Sequence, residues 1–569
     1  MIWNTVSFWP ATHNAQRTTK DECVERGTLR FARFFMKVLL LQPPVQDFYN
    51  TDIRLQPIGL AHLKAAAQKH LPGVRITIKD FHHGWGRRTI AFPRELAYLK
   101  DYYSRDDKSP FSTFHHYYHF GADFDTIAGE VTKAKPDLVG IASLFAPYCR
   151  EVLRCAEAIK KRCQVPILLG GSQVSAMPEH MLSHPAIDFV IRGEGEKPFV
   201  ELLKVLRDGG DLKYVPNLGY KKRGRLVLNS RKENYPIENL PFPDLSDLPQ
   251  DHYLFEKKPL CFIITSRGCS YRCAFCSVHK TFGRKCRRRS AGNILAEIRQ
   301  RYAEGYRVFD FEDDNLTFDR KEMRELCGQL IRTFPQKDIQ LLAMNGVCYW
   351  TLDRDILKLM RQAGFTHLNL SLVSTSTGLL KTVQRPGPLK KYREVIRHAT
   401  ALGFKIVVYQ ILGLPGDTLA SMIKTLLFNA KLPVLLGASP FYLTPHSPIA
   451  RRFGGPSETD IYKARLTAMA IETKDFKRED LYTLLITTRI LNFLKGLLFH
   501  SKEITLSKAL AIAKKQDARS AMGSRILRKL LREKILYAAT PKGFEPLPRF
   551  KPGLFFQLWQ KLDIIKTRE

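Results

Sequence analysis

Three thiols stand in a C-x3-C-x2-C pattern, Cys269-Ser-Tyr-Arg-Cys273-Ala-Phe-Cys276, directly after the apolar run that starts at Leu260. The pattern reads as a loop leaving a buried strand. Each thiolate can bind one iron of a cubane [4Fe–4S] cluster, which ordinarily takes four protein ligands. No fourth Cys stands at matching spacing, which leaves one iron open to a small molecule. Tetrahedral zinc, with His279 as a fourth ligand, is the competing reading; zinc sites normally use C-x2-C or Cys/His pairs.

Something must hold that loop, and the surrounding pattern says what. From residue 260 onward strands are expected at Cys261–Ser266, Val308–Glu312, Gln340–Met344, His367–Leu372, Lys405–Leu412 and Leu435–Tyr442, with helical stretches between them. In a βα barrel reactive groups sit at the carboxyl ends of the strands. Those ends carry Phe311-Glu312-Asp313-Asp314-Asn315, Asn345-Gly346, Ser371-Leu-Val-Ser374 and Gly413-Leu-Pro-Gly416-Asp417.

The cluster loop, with the aromatic Phe275 before its last Cys, resembles that of the radical S-adenosylmethionine (radical SAM) superfamily. The F-x-D-D-N element at 311–315 and the glycine turn at 413–417 resemble further parts of that pattern. The resemblance implies a partial (β/α)6 barrel with Cys269, Cys273 and Cys276 on the cluster. It implies S-adenosylmethionine (SAM) contacts from Phe275, Glu312, Asp313, Asn345, Ser371, Gly413 and Gly416. The implied reaction is reductive cleavage of SAM to a 5′-deoxyadenosyl radical that abstracts hydrogen from substrate. An electron donor such as flavodoxin or ferredoxin is then required.

Ahead of the barrel, residues 36–210 alternate apolar strands (Lys37–Gln42, Arg75–Asp80, Leu138–Ser143, Pro166–Gly170, Phe189–Ile191) with helices such as Ile58–Lys69 and Arg150–Arg162. This is the signature of a doubly wound parallel sheet in an α/β protein. Ligands of such sheets lie beyond the strands' carboxyl ends, here Gln42–Pro44, Ser143-Leu144, Gly170-Gly171 and Gly193-Glu194-Gly-Glu196. The half resembles the cobalamin-binding domain found ahead of many radical SAM barrels, which implies corrin contacts from Ser143, Leu144, Gly170, Gly171, Gly193 and Glu194. The D-x-H-x-x-G element that supplies a histidine to cobalt is missing after the first strand, since 42–59 contains no His and Asp80-Phe-His82-His83-Gly84 has the wrong spacing. With cobalamin above the cluster, the implied reaction is methylation of an unactivated carbon. Oxidative cyclisation or rearrangement without methyl transfer uses the same parts.

The rest of the chain is less specific. Residues 1–35 lack periodicity and read as an N-terminal extension; 211–255 as a linker with a hairpin turning at Arg223-Gly224; 256–455 as the barrel; and 456–569 as a basic helical region with helices at Thr459–Glu472, Leu481–Leu498 and Ser524–Leu536 before a Pro-rich tail. The histidines His115, His116 and His119 in the aromatic insertion 91–125 suggest either a metal site or, better supported, a packing segment.

Eleven cysteines in 569 residues do not make a disulfide scaffold, and a reducing cytoplasm fits them. None follows Cys348, so the C-terminal third supplies no second cluster. The apolar stretch 481–500 is interrupted by Arg489 and Lys495 and reads as an amphipathic helix, packed on the protein or lying on a membrane. A net charge of +35 favours anionic partners: a phosphorylated metabolite, acidic lipid or nucleic acid. A basic RNA-binding protein with a structural cluster is the reading from another class. The absent fourth ligand and the absence of any RNA-binding module weigh against it.

Overall fold

The computed structural model describes residues 35–51, 55–452, 454, 457–497 and 505–562. The expected N-terminal extension therefore lies outside the described residues, except for its last position.

The front half is built on strands β1 (Met36–Gln42), β2 (Val74–Asp80), β3 (Leu138–Ala142), β4 (Ile167–Gly170) and β5 (Phe189–Ile191). They are parallel, in the order β2-β1-β3-β4-β5. Val, Ile and Leu on both faces of these strands are buried by helices such as Ile58–His70 and Cys149–Arg162. The order reverses between β1 and β3, and a doubly wound sheet opens its ligand crevice at such a point. Two antiparallel strands, β6 (Leu218–Lys222) and β7 (Arg225–Leu228), extend the edge beyond β5. Their turn places Arg223 and Gly224 at positive φ, as a two-residue hairpin demands.

The second half carries β8 (Lys258–Ile263), β9 (Val308–Phe311), β10 (Gln340–Leu342), β11 (His367–Ser371), β12 (Lys405–Leu412) and β13 (Leu435–Pro440). Ladders join β8 to β10 and β11 to β13, all parallel, and the bridges Leu341–Phe365 and Val347–Leu370 connect the two groups. Among the described residues no ladder joins β13 back to β8, so the barrel is partial. Four of its crossover helices start at side-chain caps, Ser290, Asp319, Asp353 and Thr418, each accepting from a backbone N–H of the first turn. The helices therefore begin at fixed points.

The helix Arg478–Leu497 lies over the free edge of β13. Asn492 donates to the Leu436 carbonyl at 2.7 Å and accepts from its N–H at 2.9 Å, doing for the edge strand what a seventh strand would do. Lys495 Nζ binds the carbonyls of Ala430 and Leu432, at a helix end where a cation is favoured. Most of this helix is buried, and no helix among the described residues is long and apolar enough to cross a membrane.

The C-terminal region departs from expectation in two places. The stretch expected as one helix over Thr459–Glu472 is two short pieces, Glu458–Tyr462 and Leu466–Ala468, because Arg465 turns inward. The Pro-rich tail forms a hairpin (Tyr537–Thr540 with Gly543–Pro546) and a helix, Pro552–Trp559.

Arg465 is the hub between this region and the front sheet. Its guanidinium donates to the carbonyls of Gln46, Pro147 and Tyr462 and faces Asp47 at 3.4 Å. Asp47 also accepts from Tyr148 at 2.9 Å and from Thr467 at 2.8 Å. The insertion's Tyr103, Phe111 and Tyr117, together with Phe48, share one apolar core with Ile486, Ile490 and Leu494 of the C-terminal helix, which is the packing role expected of it.

Glu151 lies in the same dry layer, with both carboxylate oxygens buried and without a hydrogen-bond partner. Burial pushes its carboxyl up to about 7, against the pull of Arg465. A carboxyl raised from 4.5 favours folding fully below its unfolded value and loses that advantage as pH rises through about 7. Glu151→Gln therefore raises the thermal midpoint at pH 8.5, by a stabilisation on the order of 3 kcal/mol, and leaves it nearly unchanged at pH 5. Scanning fluorimetry at the two pH values checks this; equal shifts at both would contradict it.

Candidate active site

Strand β8 delivers the cysteine loop, and the fold holds that loop from several sides. Ser266-Arg267 pairs antiparallel with Arg287-Arg288, closing residues 268–286 into a ring. Gly268 sits at φ +88°, where an added Cβ would stand 2.5 Å from the Lys285 carbonyl oxygen, so only glycine fits. Asp314 accepts from the Gly268 N–H at 2.9 Å. Ala274 N–H donates to Val383, and the Ala274 carbonyl accepts from Ile449. Phe275 packs on an apolar floor that includes Val373, Leu379 and Leu414.

The sulfurs of Cys269, Cys273 and Cys276 are not all within 4.8 Å of one another. Zn–S bonds of about 2.3 Å would impose a sulfur–sulfur edge of about 3.8 Å, so the loop is too open for a compact zinc site and suits a larger cluster. Burial pushes the Cys276 thiol up to about 11 and the Cys269 thiol above its usual value. Thiolates there need a metal's charge. The Asn315 carboxamide adjoins Cys269, and both its polar atoms are buried without a hydrogen bond. The Arg385 guanidinium is 3.4 Å from the Cys273 sulfur. Cations and amide donors beside sulfur stabilise the anionic cluster state, so the donor set fits a [4Fe–4S] centre.

The other expected barrel residues sort into two groups. Glu312 and Asn345 meet at the ends of β9 and β10, 2.6 Å apart, and Ser371 ends β11 half-buried. Gly416 has open space where a Cβ would be. Asp313, expected to contact SAM, is instead buried beneath the loop, accepting from Thr265 at 2.8 Å and from Ser266. A Cβ on Gly413 would meet Phe476 and Leu481 at 3.1 Å, so its need for glycine arises from C-terminal packing.

On the front sheet, Ser143 and Gly171 lock together. Gly171 has φ +125°, and its Cβ would fall 2.3 Å from the Ser143 carbonyl oxygen. Ser143 Oγ donates to Gln173 Oε1, and Ser172 Oγ to the Leu144 carbonyl. Gly170 faces open space. At the end of β1 the Gln42 side-chain oxygen is buried without a partner. A backbone cradle, an unhindered glycine and an orphaned acceptor at the switch point are the features a bulky polar ring system requires.

Glu194, expected among the corrin contacts, is held in ion pairs. Its carboxylate is taken by Arg267 Nη1 at 2.9 Å and by Arg287, while Arg267 Nη2 binds Glu196 at 2.6 Å. Gly193 stands beside this pair, with its N–H donated to Ser175 at 2.7 Å. Arg267 lies two residues before Cys269, so the end of β5 is bolted to the cluster loop. Arg267 and Arg385 were not among the residues the sequence singled out, and Asn315 appeared only as the last member of the F-x-D-D-N element, without a role of its own. Glu196 was visible in the strand-end motif, whereas its partner's identity was not.

The histidines take packing roles. His83 pairs with Asp80 at 2.7 Å, and buried His119 binds Gln46 and the Ala122 carbonyl. His115 and His116 bring ligand atoms within 4.8 Å of Asp106, which Lys108 already pairs.

Residues 263–428 match the family model described as Radical SAM superfamily, and residues 89–203 match the B12 binding domain. An uncharacterized methyltransferase of Pyrococcus horikoshii is 30% identical over 317 residues, covering 55% of this chain and 68% of that protein. The chain belongs to the cobalamin-binding radical SAM enzymes. Its cofactors are a [4Fe–4S] cluster, SAM and cobalamin. A second relative, the cytidylyl-2-hydroxyethylphosphonate methyltransferase of Streptomyces wedmorensis, is 25% identical over 421 residues, covering 67% of this chain and 74% of its own. Among solved structures, the radical SAM methyltransferase TsrM of Kitasatospora setae, with cobalamin and [4Fe–4S] cluster bound, superposes with a TM-score of 0.58 at 18% identity. That likeness covers 73% of this chain and 77% of TsrM, and it establishes the fold of both halves.

Two outcomes follow for this radical SAM enzyme. Arg267 draws the Glu196 carboxyl down to about 2 although burial opposes ionisation. The pair thus stabilises the fold by roughly 3 kcal/mol above about pH 4.5, and loses that contribution as pH falls toward 2. Arg267→Met leaves buried Glu196 without its cation and Glu194 with Arg287 alone, costs about 3–5 kcal/mol, and raises hydrogen exchange in 193–197 together with 266–288. Exchange confined to one of those segments would refute the bolt. Gly171→Ala displaces the Ser143 carbonyl, so equilibrium dialysis of hydroxocobalamin shows at least tenfold weaker binding with the iron–sulfur absorbance retained.

Proposed function

We propose that this radical SAM enzyme methylates an unactivated carbon of a small molecule, acting in the cytoplasm, with the methyl group carried by the corrin. The observation that carries the reading is the direct bolt between β5 of the B12-binding half and the cluster loop, through Glu194, Glu196 and Arg267. It supports the reading because it ties the proposed corrin cradle to the proposed cluster loop. The relatives named as methyltransferases support the same choice. When bound, the cluster and SAM supply hydrogen-abstracting power and the corrin supplies a transferable methyl group.

The protein's share is orientation and exclusion of water. Cys269, Cys273 and Cys276 are proposed to hold the cluster, with Arg385 and Asn315 beside the sulfurs. Phe275, Glu312, Asn345, Ser371 and Gly416 line the proposed SAM side; Asp313 and Gly413 support them from behind. Gln42, Ser143, Leu144, Gly170 and Gly171 form the proposed corrin cradle. Tyr442, half-exposed after β13, lies close enough to both Cys276 and Tyr49 for their charges to interact, so it sits between the cluster loop and the front half.

Anaerobic reconstitution with iron, sulfide and hydroxocobalamin tests the reading. Wild type is expected to show a cluster charge-transfer band and bound corrin, to release 5′-deoxyadenosine, and to pass deuterium from methyl-labelled SAM to the corrin. Cys273→Ala keeps the corrin and loses the band and the 5′-deoxyadenosine. Bound corrin that never acquires label would sink methyl transfer and favour the cyclisation or rearrangement reading. Zinc in place of iron would sink both.

A further inference from the structure

Seven cations surround the cluster loop with no carboxylate within 4 Å of any of them among the described residues: Arg231, Arg272, Lys280, Arg284, Lys285, Arg451 and Arg452. Their attachment to the loop is explicit. Arg272 belongs to it, and Arg284 reaches the Tyr271 carbonyl at 3.5 Å. Arg231 donates to the carbonyl of Lys280, four residues beyond Cys276. Arg451 and Arg452 end the turn whose Ile449 N–H is hydrogen-bonded to Ala274. Lys280 feels Arg451, Arg231 and Arg284 directly, so the group is one patch. Most of the chain's other surface arginines near carboxylates are paired, as Arg150 is with Glu95 and Arg320 with Asp353. Here the like charges repel with no ion pair among the described residues to offset them, an arrangement that an anionic partner relieves.

An aromatic path runs from the same face inward. Phe318 is more than one-third exposed and meets Tyr271 edge-on at 5.9 Å. Tyr271 accepts from Trp350 Nε1 at 2.6 Å, Arg385 lies over Trp350 at 4.9 Å, and Arg385 reaches the Cys273 sulfur at 3.4 Å. Contact is therefore continuous from an exposed ring to a cluster ligand.

We propose that this patch is the docking surface for an acidic one-electron carrier protein, which seats over Phe318 and delivers the electron the cluster needs. The inference rests on the cluster reading above. One electron leaves the reduced carrier, as when a flavodoxin hydroquinone becomes its semiquinone, and the cluster passes from the 2+ to the 1+ state. The positive rim steers the partner, so association falls steeply with salt.

The test uses the reconstituted holoenzyme and the variant Lys280→Glu/Arg284→Glu/Arg451→Glu/Arg452→Glu. Calorimetry with oxidised flavodoxin at 50 mM and 500 mM salt reads binding; stopped-flow absorbance reads cluster reduction by flavodoxin hydroquinone or by reduced methyl viologen, a small cation. Wild type should bind flavodoxin with strong salt dependence. The variant should lose at least tenfold in affinity and in reduction rate with flavodoxin, and none with methyl viologen. Unchanged flavodoxin binding and reduction overturn the proposal. If product formation falls while both reduction rates hold, the patch serves an anionic substrate instead. If a single-stranded RNA oligomer is bound tightly by wild type alone while flavodoxin reduction is unchanged, it is a nucleic-acid surface. Absence of a cluster in wild type overturns the function reading itself and is seen before any carrier is added.

Discussion

Arg267 is the constraint on which the rest depends. Its guanidinium is nearly inaccessible and shared between two buried carboxylates, one on each side of Gly195. Removing such charges from water is expensive, and the attraction between them repays that cost only when geometry and hydrogen bonding are nearly complete. Glu196 also accepts from Asn234 at 2.6 Å, so the carboxylate oxygens are occupied. The arrangement tolerates little relative movement of β5 and the cluster loop. With Phe282 against the guanidinium, it sets a fixed spacing rather than a flexible tether. That spacing is what a reaction divided between two cofactors needs, because misplacement by about 1 Å can cost two orders of magnitude in rate.

A second buried cation, Arg465, does for the C-terminal region what Arg267 does for the loop. It joins the segment after the barrel to Gln46, Asp47 and Pro147 beside the sheet's switch point. The aromatic insertion fills the space between, packing on the helix that covers β13. Front sheet, barrel edge and C-terminal helices are thus joined through one packed layer.

The parts of this arrangement that follow from local periodicity were legible in the sequence. All five parallel strands of the front sheet and all six of the barrel fall where apolar runs alternate with amphipathic helices, with ends shifted by at most three residues. The cysteine spacing located the loop, and Arg223-Gly224 located a turn. What was hidden was pairing across distance. Nothing near Glu194 tells that its partner lies 73 positions away at Arg267, so a strand-end carboxylate was read as facing ligand. Asp313 misleads for the same reason: beside Asp314 and Asn315 it reads as part of one polar tip, yet its side chain turns back under Thr265. The helix expected at 459–472 fails because the amphipathic pattern there was made by Arg465 pointing into a charged core, which periodicity cannot distinguish from a surface face.

The cluster loop also differs in kind from small metal-folded motifs. In those, the metal's binding energy is the folding energy, and the apo form has no structure. Here the loop's backbone bonds go to Val383, Ile449 and Asp314, and its floor is apolar, so the conformation rests on the protein itself. Burial raises the Cys269 and Cys276 thiols, so iron has to displace their protons on loading. Little of the cluster's affinity is consumed in ordering the chain. The protons released on loading make assembly favourable toward higher pH, with Arg385 and Asn315 already in place to receive the negative charge.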